Sequence, residues 1–445
     1  MKNTTMKTEL SRRGFIKQAA WAGTAMGFPT LIPSSALARS GKASPNSKVN
    51  VALIGCGDRS GYAMNYRNYD KSVVVAVCDP IKSRRLQRKQ EFGNCDDYSD
   101  FREVLARKDV DAVHIATPDH WHVPISLLAA QAGKDMYTEK PLGISIEQDK
   151  QARDIVDKYD RVFQYGAQQR SIEHVRLGLE LVLNGHIGEV RQTYVWASCG
   201  ESGGTLAETP VPDGFDYEMW LGPAPKVPFC ADRCLTQGPR NGIFHIYDYA
   251  IGFVGGWGAH PADMLQWWLD HSGLPNMPVA CEAKGVIPTS GLFNTLTHWD
   301  GQFIYPNGLK LRFMDHETAN REKPHPGVAA DHGTLFVGAD GWVMVNRSGW
   351  QTSDNALREK ARDPGSKRLP VSRDQIRNFV DCVLSREQPV DNLHSAVRSD
   401  ILSHLIDISA RTGRKLGWDP VKETITGDPQ AEAMMHREMR KPWTL

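Results

Sequence analysis

The sequence predicts an α/β protein in two parts, a doubly wound parallel sheet followed by an α+β domain with a mainly antiparallel open sheet. From residue 49 to about residue 165, short runs of Val, Ala and Ile alternate with longer amphipathic stretches, a pattern typical of βαβ units. After residue 166 this alternation ends, and residues 338–341 give a Gly-Ala-Asp-Gly hairpin signal. We therefore expect one domain over residues 49–165 and a second over residues 166–445.

The first domain is expected to hold five strands joined by helices. Each strand is a short segment bounded by polar or glycine-containing turns, and each helix is a longer amphipathic segment. The predicted strands are residues 49–54, 73–78, 112–116, 135–138 and 162–165. The predicted helices are residues 82–92, 100–106, 122–132 and 146–159.

The second domain has weaker periodicity. Residues 200–241 are rich in Gly, Pro and aromatic residues and predict little regular structure. The segments that do carry a pattern are helices at 173–184, 261–269, 374–385 and 394–412, and strands at 190–197, 308–314 and 334–346.

Composition excludes several classes of protein. The chain has 445 residues and a formal net charge of +1, so it lacks the large positive charge that favours binding to nucleic acid. No apolar run reaches the roughly 18 residues of a membrane span, so we expect no stable membrane insertion. Among its eight cysteines, Cys230 and Cys234 could pair in an oxidising compartment or remain thiols.

A glycine-rich turn follows the first predicted strand. Gly55, Gly57 and Gly61 approximate a GxGxxG motif whose third glycine falls one place late. Two glycines let the backbone turn tightly and approach a pyrophosphate, whose charge then lies at a helix N-terminus. The turn predicts a dinucleotide-binding Rossmann domain.

An acidic residue ends the next predicted strand. Asp79 follows Gly55 by 24 residues, near the spacing of about 20 at which a carboxylate binds the adenine ribose hydroxyls. This carboxylate would repel a 2′-phosphate, which favours NAD over NADP. Arg84 and Arg85 follow closely and keep NADP as the alternative.

Two further segments stand at the ends of predicted strands, where ligands bind in open α/β sheets. They are residues 116–122, which include Thr117, Pro118 and His122, and residues 137–143, which include Glu139-Lys140-Pro141. With this Glu-Lys-Pro hallmark the sequence resembles the Gfo/Idh/MocA oxidoreductases, the group of glucose–fructose oxidoreductase and inositol dehydrogenase. The resemblance implies that Lys140 lies between nicotinamide and substrate and helps to remove the proton of the reacting hydroxyl.

The resemblance extends over nearly the whole chain. It covers residues 166–170, the active-site turn and helix at 255–263, and the C-terminal segments 398–420 and 440–443, which look like an exported branch of the family. Together with the turn and the strand ends, it assigns cofactor contacts to Gly55, Cys56, Gly57, Asp58, Arg59, Asp79, Thr117, Pro118, His122, Glu139, Lys140 and Gln168. It assigns substrate contacts to Arg170, Tyr247, Trp257 and His260.

The sequence departs from the family pattern beside the active-site histidine. The resemblance implies that His260 acts as an acid or base and that an aspartate stands four residues before it, but that position is Gly256. Asp248 is the nearest candidate to replace the missing carboxylate as a catalytic residue. Trp257, next to the histidine, is a candidate for stacking on a sugar ring.

A metal site is not expected. Asp315, His316, Glu317, His325 and the pair at 331–332 cluster in sequence, but their spacing fits no helical or CxxC-type ligand rule. Substrate contacts or loop polarity explain them better than a metal does.

The N-terminus resembles a twin-arginine export signal. Residues 11–17 contain the arginine pair Arg12 and Arg13, a weakly apolar stretch follows, and Ala36-Leu37-Ala38 is a small-x-small cleavage site. We expect a signal peptide at 1–38, a linker at 39–48, the twin-arginine machinery as a partner and a periplasmic or exported location. Because that route carries folded proteins, it favours thiols at Cys230 and Cys234.

These observations predict an exported NAD-dependent oxidoreductase that acts on a ring hydroxyl, at C3, of a sugar or glycoside. No pool of free cofactor is expected outside the cytoplasm, so the NAD would be held tightly and recycled within each cycle. The alternative is a redox-neutral NAD-dependent glycosidase that works by oxidation, elimination, hydration and re-reduction. The resemblance also implies a homo-oligomer, a dimer or tetramer.

Overall fold

The computed structural model describes residues 48–444 except residues 237 and 364. The predicted signal peptide at 1–38 and the linker up to residue 47 lie outside the described residues. Within the described part of the chain, no helix is long and apolar enough to cross a membrane.

Six parallel strands form the first sheet. They are β1 (Val49–Ile54), β2 (Ser72–Cys78), β3 (Asp96–Tyr98), β4 (Ala112–Ile115), β5 (Asp135–Thr138) and β6 (Phe163–Tyr165). Their order is β3-β2-β1-β4-β5-β6, so the direction of winding reverses between β1 and β4. Ligands bind at this reversal, outside the carboxyl ends of the strands. The five predicted strands are confirmed, while β3 was missed because its Asp-Asp-Tyr sequence has no apolar run.

Four α-helices accompany this sheet and match the predicted segments to within one residue at each end. They are α1 (Lys82–Phe92), α2 (Phe101–Leu105), α3 (His122–Gln131) and α4 (Ile146–Lys158). Helix α4 begins where the Ser145 side chain accepts a hydrogen bond from the Gln148 N–H, as an N-cap residue does.

The glycine turn leads into a 3₁₀ helix, Asp58–Asn68, rather than into an α-helix. This segment has no buried apolar stripe to favour the α-helical period, since its buried residues are Ser60, Ala63 and Tyr66. It also contains Gly61, a poor helix former. The helix N-terminus predicted after the turn is therefore present, but with tighter 3₁₀ winding.

Nine strands form the second sheet. They are β7 (Val190–Ala197), β8 (Ala280–Val286), β9 (His298–Ile304), β10 (Lys310–Asp315), β11 (Gly333–Gly338), β12 (Trp342–Val345), β13 (Trp350–Thr352), β14 (Leu416–Asp419) and β15 (Thr424–Thr426). Their order is β13-β12-β11-β7-β10-β9-β8-β14-β15. Only β7 and β10 pair in parallel within the described sheet, so the predicted, mainly antiparallel sheet is confirmed.

In the described part of the chain, ten α-helices accompany the second sheet or link it to the first. They are α5 (Glu173–Leu183), α6 (Tyr217–Leu221), α7 (Ala231–Cys234), α8 (Phe253–Gly256), α9 (Ala259–Ser272), α10 (His316–Glu322), α11 (Asn355–Lys360), α12 (Gln375–Ser385), α13 (Leu393–Thr412) and α14 (Pro429–Ala433). Helix α9 begins two residues earlier than predicted, because Pro261 occupies its first turn, where no backbone N–H is needed.

The core of the first sheet includes residues from near the C-terminus. Ile376, Phe379 and Val380 of α12 are fully buried in one cluster with Val51 and Leu53 of β1. The Tyr137 hydroxyl on β5 also donates to Gln375 Oε1 at 2.8 Å. All strands of the first sheet precede residue 166, yet α12 completes the packing of that sheet from the second half of the chain.

Residues 200–241 we call the cover segment; among its described residues, those from Gly214 onward contact the carboxyl edge of the first sheet or line the cavity there. The Lys82 N–H donates to the Gly214 carbonyl at 2.8 Å, and the Asp216 N–H donates to the Pro80 carbonyl at 3.0 Å. These bonds fasten the segment directly beyond Asp79. Within it, Cys230 and Cys234 are buried free thiols.

Candidate active site

The glycine turn after β1 meets the end of β4. Gly55 has a φ of +91°, and a Cβ there would lie 2.5 Å from the backbone carbonyl carbon of Ala116. Only glycine fits both the conformation and the space. A Cβ on Gly57, by contrast, would meet only Arg84 Nη1 at 3.9 Å. No contact within the described protein demands glycine there, whereas a cofactor phosphate approaching the backbone would.

Asp79 ties the turn together at the end of β2. Its carboxylate is buried and accepts hydrogen bonds from Cys56 N–H at 2.7 Å and from Ile81 N–H at 2.8 Å. Burial raises the pKa of this carboxyl, and the two backbone N–H groups oppose that shift. Each carboxylate oxygen has a second lone pair, so both ribose hydroxyls can still be accepted.

Arg84 and Arg85, which left NADP as the alternative cofactor, have different environments. Arg85 Nε donates to Asp97 Oδ2 at 3.3 Å, and its Nη1 donates to the Asp79 carbonyl at 3.2 Å. Arg84 lines the cavity beside the turn.

A cavity of about 310 Å³ runs from the turn along the strand ends and beneath the cover segment. Every predicted cofactor residue lines it except Gln168. Gln168 stands behind the wall, where its Nε2 donates to Tyr137 Oη at 3.0 Å and to Glu139 Oε1 at 3.4 Å. The lining also contains residues that the sequence did not indicate, among them Trp220, Leu235, Asn241 and Phe244. The open space at Gly57 and the strand-end carboxylate of Asp79 fit a dinucleotide in this cavity.

Lys140 follows β5 and is half-buried at the edge of this cavity. Its ammonium Nζ donates to the backbone carbonyl of Gly256 at 2.8 Å. Burial lowers the pKa of Lys140, while the charges of Glu139 and Asp119 oppose that effect. The preceding Glu139 carboxylate is engaged by Arg59, whose Nε lies 2.8 Å from Oε2. Lys140, which the family resemblance implies takes the substrate proton, therefore has an amine that is partly shielded from bulk water.

Asp119 is a site residue that our sequence analysis did not single out. It is buried, lines the cavity, and its Oδ2 has no hydrogen-bond partner among the described residues. Burial raises the pKa of Asp119, and the charge of Lys140 lowers it. The sequence signal that could have identified Asp119 was its position in the segment 116–122, at the end of a predicted strand.

His260 lies in the first turn of α9, buried, with its Nε2 3.0 Å from Arg347 Nη2. A guanidinium can only donate, so Nε2 accepts and the neutral ring carries its proton on Nδ1. Burial, and then the charges of Lys140 and Arg347, lower the pKa of His260 well below its usual range. The Nδ1 atom has no partner among the described residues. In this arrangement His260 offers a hydrogen-bond donor.

Arg347, which no motif indicated, follows the β11–β12 hairpin. Its guanidinium carbon lies 5.6 Å from the ring centre of Trp257 and its backbone N–H donates to His332 Nε2 at 3.4 Å. Trp257 is half-buried and its ring centre lies 5.9 Å from that of His260. The predicted stacking residue and the active-site histidine are therefore neighbours.

Two other predicted residues, Asp248 and Tyr247, have different surroundings. Asp248 makes no hydrogen bond to His260 in the described structure, and the ring of Tyr247 lies between the guanidinium groups of Arg411 and Arg437, at 3.6 and 3.5 Å.

Arg170 does not line the cavity. Its side chain is 2% exposed and forms a two-bond ion pair with Asp263 of α9, with Nε 2.8 Å from Oδ2. It therefore fastens α9 in this structure, and its contact with substrate stays a prediction.

The sequence matches family models over both halves of the chain. Residues 49–167 match the model described as "Oxidoreductase family, NAD-binding Rossmann fold". Residues 169–445 match the model described as "Oxidoreductase family, C-terminal alpha/beta domain".

Two curated relatives are similar to part of the chain. A glycosyl hydrolase family 109 protein of Shewanella amazonensis is 34% identical over 31% of this chain and 35% of its own length. D-glucoside 3-dehydrogenase of Escherichia coli is 29% identical over 36% of this chain and 46% of its own length. The chain thus spans between about a third and a half of the curated relatives it matches.

The fold is also similar to that of a solved dehydrogenase. The WlbA dehydrogenase of Chromobacterium violaceum, crystallised with NADH and UDP-GlcNAcA, superposes with a TM-score of 0.62 at 16% identity. The likeness covers 88% of this chain and 99% of that structure. It is a likeness of the fold over most of the described chain.

Proposed function

Because this chain belongs to the Gfo/Idh/MocA oxidoreductase family and has its NAD-binding Rossmann domain, we propose that it oxidises a ring hydroxyl, at C3, of a sugar or glycoside. The observation that carries the proposal is the half-buried Lys140 amine at the cavity edge, with the Nδ1–H of His260 free to meet a polar ligand. The similarity to a D-glucoside 3-dehydrogenase supports C3 as the reacting carbon.

The residues that would hold NAD follow the path of the cavity. The turn at 55–57 would receive the pyrophosphate, and Asp79 would accept the adenine ribose hydroxyls. Bound there, NAD supplies the acceptor for a hydride from the carbon that carries the reacting hydroxyl.

The chain's own side chains would manage the hydroxyl and its proton. Neutral Lys140 accepts the hydroxyl proton, a step that its lowered pKa favours. Asp119, whose pKa is raised by burial, interacts with Lys140 and can take the proton onward. His260 donates Nδ1–H to a substrate oxygen and orients it, and Trp257 packs on the CH face of the sugar ring.

The cover segment supports tight retention of the cofactor. It is fastened to residues 80 and 82 by backbone hydrogen bonds and lines the cavity with Trp220 and Leu235. A cofactor beneath it would be sequestered from water and would leave only when the segment opens. An enzyme of this kind regenerates NAD with a second sugar or with the same one.

A redox-neutral glycosidase is the second candidate function. The similarity to a glycosyl hydrolase family 109 protein favours it, as does Gly256 in the position where the family resemblance implies an aspartate. In such a cycle, oxidation at C3 acidifies the C2 proton, the C1 substituent is eliminated, water adds, and the ketone is reduced again. No external electron acceptor is needed.

One experiment tests both candidates. The purified protein, without added cofactor, is incubated with chromogenic glycosides, and both aglycone release and the absorbance of reduced nicotinamide are followed. Reduction of the bound cofactor without aglycone release supports the oxidoreductase. Many aglycones per enzyme support the glycosidase, and neither signal with any glycoside contradicts the proposal.

We also propose export by the twin-arginine route to the periplasm, on the basis of Arg12 and Arg13. Replacing both with lysine should retain the protein in the cytoplasmic fraction. A homo-oligomer is proposed from the family resemblance, and sedimentation of the purified chain measures its mass. A monomer under those conditions would contradict that proposal.

A further inference from the structure

The carboxyl ends of β7 and β10 and the start of β9 bring together three side chains of metal-ligand type. They are Cys199, two residues past β7, His298, the first residue of β9, and Asp315, the last residue of β10. Cys199 and Asp315 are 116 residues apart in sequence. This separation explains why the sequence spacing of Asp315 and its neighbours indicated no metal site.

The ligand atoms of this group converge on one point. Cys199 Sγ lies 3.2 Å from Asp315 Oδ1 and 3.7 Å from His298 Nδ1, and the histidine nitrogen lies 3.3 Å from the same carboxylate oxygen. Zinc bonds of about 2.0–2.3 Å at tetrahedral angles place ligand atoms about 3.3–3.6 Å apart. The three observed separations therefore approximate one face of a zinc tetrahedron.

The same geometry does not suit a hydrogen-bonded catalytic relay. In a Cys-His-Asp relay the two ring nitrogens face different partners, whereas here Nδ1 of His298 faces both the thiol and the carboxylate. Without a cation, Asp315 Oδ1 would have to accept from the thiol, from Nδ1 and from the Thr318 N–H at 2.9 Å, which is more donors than its two lone pairs serve well. Coordination of one cation would satisfy all three atoms at once.

Neighbouring groups hold the proposed ligands as an outer shell does. Asp315 is fully buried, and its other oxygen, Oδ2, accepts from Trp299 N–H at 3.0 Å and from Thr318 Oγ1 at 2.7 Å. The far nitrogen of His298, Nε2, lies 4.0 Å from Glu317 Oε2. Metal-binding histidines commonly direct their second nitrogen at a carboxylate in this way.

We propose that Cys199, His298 and Asp315 bind a zinc ion, with the fourth position open to water. A thiolate, an imidazole and a carboxylate together suit zinc better than the hard cations magnesium and calcium. The His298 side chain is 38% exposed, which gives the ion a path from solvent. The site fastens three strand ends at the root of the cover segment, which begins at Gly200.

A second set shares the cysteine but is less well built. His316 Nδ1 lies 3.3 Å from Cys199 Sγ, but it already accepts the Cys199 N–H at 3.1 Å. Its other partner, Glu317, is 61% exposed. The single lone pair on that nitrogen is engaged, so this set is the weaker competitor.

The test uses zinc alone and does not depend on enzyme activity. The full chain is stripped with a chelator and titrated with zinc against a chromophoric competitor, and cobalt is added in parallel to detect thiolate-to-metal charge transfer. We expect one zinc per chain, a charge-transfer band with cobalt, and a higher unfolding temperature with zinc.

Matched variants separate the two sets. Cys199→Ser, His298→Gln and Asp315→Asn should each weaken zinc binding by at least about 100-fold, and Glu317→Gln by about tenfold, as loss of an outer-shell partner does. His394→Gln, an exposed histidine paired with Asp157, is the control and should bind normally.

Circular dichroism of each apo variant establishes that it is folded, and Asp315→Asn retains the oxygen that caps α10. No stoichiometric zinc in the folded wild-type chain would overturn the proposal. So would normal binding by His298→Gln together with loss of binding by His316→Gln.

Discussion

Lys140 Nζ donates a hydrogen bond of 2.8 Å to the backbone carbonyl of Gly256, the residue that stands where the family resemblance implies an aspartate. The half-buried amine therefore has a neutral carbonyl, and not a carboxylate, as its hydrogen-bond acceptor. It stabilises the ammonium form less than a negative charge would. Deprotonated Lys140 is accordingly easier to reach in this protein.

Replacing Lys140 tests its role directly. Lys140→Met keeps the apolar stem but removes the amine, so hydride transfer should fall by about 10²–10⁴-fold while bound NAD is retained. The readouts are single-turnover reduction of the bound cofactor and nucleotide content per chain. The control is Lys284→Met, an exposed lysine on β8. If Lys140→Met reduces its bound cofactor at a near-normal rate, Lys140 does not take part in hydride transfer.

Restoring a carboxylate at position 256 should move the pH dependence. A Cβ there would meet only Phe253 Cδ1 at 3.6 Å, so Gly256→Asp has room. An opposite charge beside Lys140 raises its pKa, and the limb of the activity–pH profile that reports the free amine should shift to higher pH. Gly256→Asn is the uncharged control and should leave the limb in place. If this limb of the activity–pH profile does not shift in Gly256→Asp, Lys140 is not the group that titrates there.

His260 should act as a donor rather than as a titrating base between about pH 5 and 8, because its pKa lies well below the usual range. His260→Ala should slow turnover by about 10²–10⁴-fold. His260→Asn, whose amide can replace Nδ1–H, should recover part of that loss without changing the pH profile. If the asparagine variant is as slow as the alanine variant and a pH limb disappears, His260 acts as a base.

Asp79 should determine cofactor retention. Asp79→Ala removes the acceptor for the ribose hydroxyls and for two backbone N–H groups, so the purified protein should carry less NAD. Nucleotide content after gel filtration measures this. Asp97→Ala removes a carboxylate that contacts only Arg85 and Lys89 side chains and serves as the control. Equal NAD content in wild type and Asp79→Ala would contradict the assignment.

The Arg170–Asp263 pair should matter for stability. Both side chains are buried, and Asp263→Ala leaves the guanidinium of Arg170 without its bidentate partner, at a cost of about 3–5 kcal/mol in the free energy of unfolding. Denaturant unfolding measures the loss. Asp300→Ala, which breaks the half-buried pair with Arg312, should cost much less. If Asp263→Ala and Asp300→Ala lose the same free energy of unfolding, burial does not increase the contribution of the Arg170–Asp263 pair to stability.

Local patterns predicted much of the fold. The strand at Val49–Ile54 and the helix at Lys82–Phe92 match their predictions because one is apolar except for Asn50 and the other is a long helix-forming segment. Strands β8 and β9 were missed. Each has one face in solvent, and Gly285 and Gly301 stand in place of apolar side chains in their alternating pattern.

The site residues also fall into two groups, those that local sequence patterns identified and those that they did not. Gly55 and Asp79 could be identified because a dinucleotide turn is encoded within about 25 residues of chain. Arg347 could not, since its contact with His260 spans 87 positions and rests on how a hairpin packs against α9. The cavity lining from the cover segment was hidden for a related reason, because those residues carry little periodicity of their own.

The most direct test of the account is to follow the hydrogen from C3. The purified protein, carrying its own NAD, is incubated with a glycoside that bears deuterium at C3, and the cofactor is then released and its mass measured. Deuterium on the nicotinamide of the wild type, absent in Lys140→Met, is the predicted result. Because recycling of the cofactor would return the label to a sugar, the reaction is quenched within a single turnover; reduced nicotinamide that lacks deuterium at that point would show that C3 is not the hydride donor and would contradict the central claim.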